Sequence, residues 1–389
     1  MTCSRLSVVV VLGSTQTLAW ASSYYLPAVL ADRMAADLGL SSTWIFAVFS
    51  ASLLLTAFMG PKVGRTIDAF GGNGVLAASN LLFAAGLVLL ALSGALPLFV
   101  VAWLVMAIGM GLGLYDSAFA TLGRLYGHEA RGAITGITLI AGFASTIGWP
   151  LTAWGAEAIG WRPTCLAWAA VHLLLGLPAN WFLLPRPAAP APEARAAAVK
   201  PAIAIDRPMI LLGVAFAMGW MVTAGMAAHF PRLLEAAGAP PAEAIAAGAL
   251  IGPAQVAARM LEAGPLARFH PLVSARLAMV THPLGVALMF VTGGGLGAAL
   301  FAALHGAGSG ILTISRGTVP LVLFGPENYG YRLGLLGAPA RFLQAAAPLG
   351  FSLLIEPLGG GVLLVSSALY LVGLAALFGL SSPRRLAPP

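Results

Sequence analysis

A chain of 389 residues that is 59% hydrophobic and only 8% charged cannot cover its surface as a soluble domain does, since such domains carry about 25% charged residues. Lipid must cover much of it, so the composition defines a polytopic membrane protein. An apolar secreted protein would be expected to hold disulfides, but the cysteines are Cys3 and Cys165, too few as well for a thiol-built metal site.

Apolar runs of about 20 to 25 residues without period-two alternation predict helices, because in hydrocarbon only helices and closed barrels satisfy the backbone. Twelve follow in chain order, at 6–31, 41–61, 72–93, 97–123, 131–157, 163–184, 208–230, 242–262, 273–292, 296–322, 331–356 and 360–381. Arg5 alone precedes the first run, which stays uncharged to Ala31; that is too long for a signal peptide, and it is expected to be retained. Ser93-Gly94-Ala95-Leu96-Pro97 separates the third and fourth spans, and Gly293-Gly294-Gly295 the ninth and tenth. The eighth has the weakest signal, with Glu243, Pro253 and Arg259 in or beside it.

Charge sets the orientation. With the N-terminus inside, Arg5, Lys62, Arg65, Arg124, Arg131, Arg186, Arg195, Lys200, Arg207, Arg259, Arg268, Arg276, Arg316, Arg332, Arg384 and Arg385 are cytoplasmic. Only Arg33, Arg162 and Arg232 are outside, a split of 16 to 3, with Arg341 inside a span. Cytoplasmic segments of membrane proteins collect Lys and Arg, which accounts for the formal charge of +7 without nucleic acid. Both termini are therefore expected in the cytoplasm. The Pro- and Ala-rich stretch 185–207 reads as a cytoplasmic linker between two six-helix bundles, 1–184 and 208–389.

The halves repeat. Gly109, Gly111 and Gly113 in the fourth span answer Gly306, Gly308 and Gly310 in the tenth. Tyr25-Leu26-Pro27 loosely answers Phe230-Pro231, and the pair Gly136 and Pro150 has the spacing of Gly334 and Pro348. Close helix packing explains the glycines themselves. Parallel six-helix repeats are a transporter architecture with a site at their interface.

On twelve spans, a central linker and repeated halves, the chain resembles the major facilitator superfamily along almost its whole length. That family's loop between the second and third helices reads Gly-x-x-x-Asp-Arg/Lys-x-Gly-Arg/Lys. Here Gly64, Asp68 and Gly71 fit, while the basic positions are Ala69 and Gly72. The resemblance implies an all-α fold of two pseudo-symmetric bundles, a cavity lined by the first, fourth, seventh and tenth helices, and a role for Asp68 in latching the inner gate. The loss of both basic residues weakens that latch. The general look is of bacterial solute exporters.

The 47 residues between Asp68 and Asp116 hold no charge, so Asp116 needs a reason to be there. A charge at bilayer depth costs about 2.5 to 3.5 kcal/mol on insertion scales and faces a cavity or a partner. Asp116 lies eight residues from Arg124 and Arg341 nine from Arg332, which puts both about 12 to 14 Å in from the inner boundary. A proton acceptor, a gate closed by pairing with Arg341, and a structural ion pair are the competing roles for Asp116. Arg341 also suits an anionic substrate.

Gln16, Trp20 and Ser23 share a helix face with Tyr24 a turn beyond Trp20, and Tyr115 adjoins Asp116. These residues suit stacking on a flat or apolar substrate; packing at the membrane surface is the plainer reading of the tyrosines. His172, His229 and His305 read first as hydrogen-bonded packing, with His305 the best placed for a proton role and Gln344 on the face of Arg341.

The expectation is secondary transport of a small organic solute across a bacterial inner membrane, by proton antiport and outward. Uptake or exchange of an organic anion on Arg341 is the alternative; a membrane sensor or an embedded enzyme is more remote. Partners are the solute, protons and the bilayer, and the chain is expected to act as a monomer. No nucleic acid, cofactor, metal or catalytic residue is expected, and no phosphate-binding loop for ATP occurs.

Overall fold

The computed structural model describes residues 4–186 and 203–380, and every regular element among them is helical. Most of the predicted linker lies outside the described residues, as do Cys3, Arg384 and Arg385. Among the described residues ten stretches are long and apolar enough to cross a membrane; Leu96–Ala158 with 63 residues and Tyr329–Phe378 with 50 each have the length of two crossings, which accommodates the twelve spans. Large side chains turned outward are those lipid accepts: Val291 is 82% exposed, Phe182 75% and Trp154 69%.

The chain forms two compact units, Met1–Ala202 with Pro326–Ala338, and Ile203–Gly325 with Pro339–Pro389. In the first, α1 (Arg5–Ser22) starts on a Ser4 cap, and its span is not one helix to Ala31. It stops at Ser22, and Pro27 opens α2 (Pro27–Leu38), which ends on Gly39 in the left-handed conformation. Helix α3 (Ser42–Phe70) runs nine residues beyond the predicted 61 and ends at Gly71, whose φ of 84° a side chain would strain. Then come α4 (Asn73–Leu92), α5 (Leu96–Gly113) and α6 (Tyr115–Tyr126), α7 (Ala130–Ala141) and α8 (Ala144–Ala158), and α9 (Trp161–Val171), continued by π-helical turns to Leu183. The second unit holds α10 (Arg207–Ala236), capped by Asp206, α11 (Pro241–Gly248), α12 (Ile251–Ala263), α13 (Pro271–Thr292), α14 (Gly294–Phe324) and α16 (Val362–Phe378). Helix α15 (Tyr329–Leu358) is divided between the two units at Pro339.

Polar bonds tie the third span to the sixth within each unit. In the first, Asn73 donates to the Leu184 carbonyl at 2.7 Å, and His172 bonds Asn80 at 2.8 Å. In the second, Arg276 donates to the carbonyls of Leu377 and Leu380 at 2.9 and 2.8 Å, and His282 bonds Ser366 at 2.9 Å. The residue types differ while the relationship repeats. Arg162 closes the opposite end of α4 by donating to the Ala91 and Ser93 carbonyls, which a helix end otherwise leaves unpaired.

The alternating glycines pack as small residues do, but in opposite phase. Gly109 and Gly113 face Phe83 of α4, and Gly111 faces Met59 of α3. In α14 the outer two, Gly306 and Gly310, face the α12 backbone, and the middle one, Gly308, faces Ala278 and Thr281 of α13.

Candidate functional site

The fourth span is broken where Asp116 had to be explained. Leu114 leaves the helix at φ −85° and ψ −173°, separating α5 from α6. A break inside hydrocarbon frees carbonyls that must be satisfied. Gln16 donates its amide to the Gly113 carbonyl at 2.6 Å, and the Ser117 hydroxyl donates to the Gly111 carbonyl at 3.2 Å. Asp116 falls in the first turn of α6, where the free N–H groups and helix dipole favour a negative charge. A half-helix N-terminus of this kind is a recurrent feature of transporter sites.

Around the break stand aromatic rings. Trp20 packs on Tyr115 at 5.1 Å, Tyr24 at 5.2 Å and Tyr25 at 5.8 Å, and Tyr115 stacks on Phe119. Gln16 is 1% exposed, and its Oε1 and the Trp20 Nε1, one helical turn apart, are buried without a hydrogen-bond partner among the described residues. They are an acceptor and a donor beside flat rings, both closed off from solvent in this conformation. Ser23 contributes less, since its hydroxyl donates to its own helix at Ala19.

The motif residues Gly64 and Asp68 occupy the last turns of α3. Asp68 accepts the backbone N–H of Gly330 at 2.9 Å and of Tyr331 at 2.8 Å, both in the first turn of α15. Helix backbones meet there without side chains between them: a Cβ on Gly64 would collide with the Gly330 carbonyl, and Gly60 lies against Gly334. The lost basic residues have packing reasons. Ala69 is 1% exposed, and any side chain at Gly72 would run into Thr121. A cation is still present, because Arg65 stands over the Tyr331 ring at 5.2 Å.

In the second unit Arg341 and Gln344 are half-buried on α15. His305 is buried and bonds His282 at 2.9 Å, a partner that sequence reading did not single out. His229 donates to the Pro348 carbonyl and His172 bonds Ser22 and Asn80. Arg316, counted above among cytoplasmic charges, lies within α14 with its guanidinium over the Trp220 ring at 4.8 Å.

Apolar stretches with room for twelve crossings, a fourth span broken beside a carboxylate and a carboxylate-capped helix end point to a membrane transporter. A family model described as Major Facilitator Superfamily matches residues 12–338, and the chain belongs to that family. No curated protein matches the chain. Among solved structures it is similar to the superfamily transporter FucP in its outward conformation, with TM-score 0.76, 14% identity, and 96% of this chain and 99% of that one covered. It is similar to the proton:xylose symporter XylE bound to 6-bromo-6-deoxy-D-glucose, with TM-score 0.69, 13% identity and coverage of 96% and 94%. It is also similar to the human organic anion transporter MFSD10 (TETRAN), with TM-score 0.67, 17% identity and coverage of 96% and 99%. At these identities the likeness is one of fold.

Proposed function

We propose that the protein exports a small, flat and largely apolar organic solute across a bacterial inner membrane by alternating access, driven by proton entry, with Asp116 as the proton carrier. The observation that carries the reading is the break at Leu114, which sets Asp116 in the first turn of a half-helix inside an otherwise uncharged stretch. The rings of Trp20, Tyr24 and Tyr115 with Gln16 are the solute's walls. Both termini are cytoplasmic and the monomer is the working unit in this reading.

The test begins with a solute identified by thermal stabilisation of the purified protein and uses reconstituted vesicles. Asp116→Asn mimics the proton-loaded carboxyl at similar size. Gradient-driven accumulation should vanish while exchange of labelled for unlabelled solute persists. Slowed exchange would assign Asp116 to a gate, and full gradient-driven transport would remove it as the carrier. A substrate that proves to be an organic anion, with binding lost in Arg341→Gln, would favour uptake on Arg341.

A further inference from the structure

The second unit holds a pair of titratable groups that neither the break nor the latch uses. His282 of α13 and His305 of α14 meet Nδ1 to Nδ1 at 2.9 Å, with exposures of 0% and 3%. The bonding network assigns their protons. Ser366 donates its one hydroxyl proton to the Leu363 carbonyl at 2.8 Å, so its oxygen accepts from His282 Nε2–H at 2.9 Å. His282 therefore carries its proton on Nε2 and accepts at Nδ1, and His305 must donate from Nδ1–H. That leaves His305 Nε2 as a lone pair that bonds no described residue. His172 makes the contrast: Asn80 and Ser22 occupy both of its ring nitrogens.

We propose that His305 and His282 form a two-imidazole proton-binding site, entered at His305 Nε2. One proton adds there and one N–H bond forms. The Nδ1–H shared between the rings then lets the charge reside on either, passing to His282 when that proton crosses. A lone buried imidazole has no such recourse; here the bond to the second ring strengthens when the first is charged. The surroundings add no competing charge. Helix α16 presents Ser366 and the Tyr370 ring, which stacks on His282 at 4.5 Å, and α10 presents Phe230 to His305. His229 of α10 is bonded to Pro348. Glu243 of α11 meets α14 at Gly295, about 15 Å along the helix from His305. Helix α12 meets α14 through Ile251, Ala254 and Gln255, with its Arg259 and Glu262 further along. Among the described residues neither histidine has an ion-pair partner. The site does not depend on Asp116 and stands whether or not Asp116 carries a proton.

The test needs no substrate. Full-length protein labelled with 15N-histidine in lipid nanodiscs has six histidines to resolve. At the high end of a titration from about pH 8 down to about pH 3, wide enough for buried imidazoles, the ring-nitrogen spectrum should show His282 protonated on Nε2 and His305 on Nδ1. Acidification should shift both rings together while His172 stays still. Proton uptake by the wild type should exceed that of His305→Gln by about one per chain over the same range. His282→Gln should move the His305 titration by about one pH unit or more. The opposite tautomers, two rings that stay neutral throughout, or a His305 titration indifferent to His282→Gln would overturn the proposal. The wild-type spectrum decides it even if neither variant folds.

Discussion

Asp68 holds the backbone N–H of Tyr331 at 2.8 Å from one carboxylate oxygen while the other takes Gly330, so a side chain at the end of α3 caps the N-terminus of α15. Capping side chains contribute about 0.5 to 2 kcal/mol, with a charge adding to that through the helix dipole. Asp68→Ala should therefore loosen the first turn of α15. Amide hydrogen exchange at Gly330 and Tyr331 should quicken about tenfold, which is about 1.4 kcal/mol. Unchanged protection at both amides would show that the cap contributes nothing.

The family's basic residue cannot simply be put back. Gly72→Arg sets a Cβ into Thr121, which is 1% exposed and bonded to the Ser117 carbonyl at 2.7 Å. Overpacking of this kind costs about 1 to 3 kcal/mol. The variant should melt lower than wild type in detergent, and adding Thr121→Ala should recover part of the loss. A stable Gly72→Arg would mean that the third span can shift to make room.

Removing the Gln16 side chain orphans a carbonyl. Gln16→Leu keeps the bulk and leaves the Gly113 oxygen without its donor, at a cost of about 1 to 3 kcal/mol for an unsatisfied buried group. The loss should appear as a lower denaturation midpoint with no solute present. Equal stability would mean that water or another group reaches Gly113 instead.

Orientation can be read at the two ends of α4. A Cβ at Gly74 or at Gly94 meets nothing within 4 Å, so either takes a cysteine without strain on its neighbours. With Cys3 and Cys165 replaced by serine, a membrane-impermeant thiol reagent applied to intact cells should label Gly94→Cys and spare Gly74→Cys. The reverse pattern would place both termini outside.

Hydropathy made the twelve spans legible because length and apolarity are local properties of the chain. It could not reveal where spans break. Leu114, and Ala249 and Leu250 in the eighth span, are themselves apolar and sit inside apolar runs, so no polar interval marks either break. The local signals were Asp116 two residues after Leu114, a carboxylate at a first-turn position with no helix start in the hydropathy, and Pro253 three residues after Leu250. Asp68 was recognisable from its motif, but its partners are more than 260 residues away, and Gln16 lies 97 residues from the carbonyl it satisfies. The pairing of His282 with His305 was hidden for a related reason. Each reads alone as a polar residue in an apolar run, and only the packing of α13 on α14 makes them a pair.

The break at Leu114 has a mechanical consequence. A continuous helix resists bending because each ladder bond opened in hydrocarbon exposes a donor and an acceptor. In the fourth span that cost has been met in advance, since Gln16 and Ser117 already hold the Gly113 and Gly111 carbonyls. The Leu114 joint is therefore where bending the span opens the fewest ladder bonds, with Asp116 in the first turn of α6 on one side and α5 packed on Phe83 through Gly109 and Gly113 on the other.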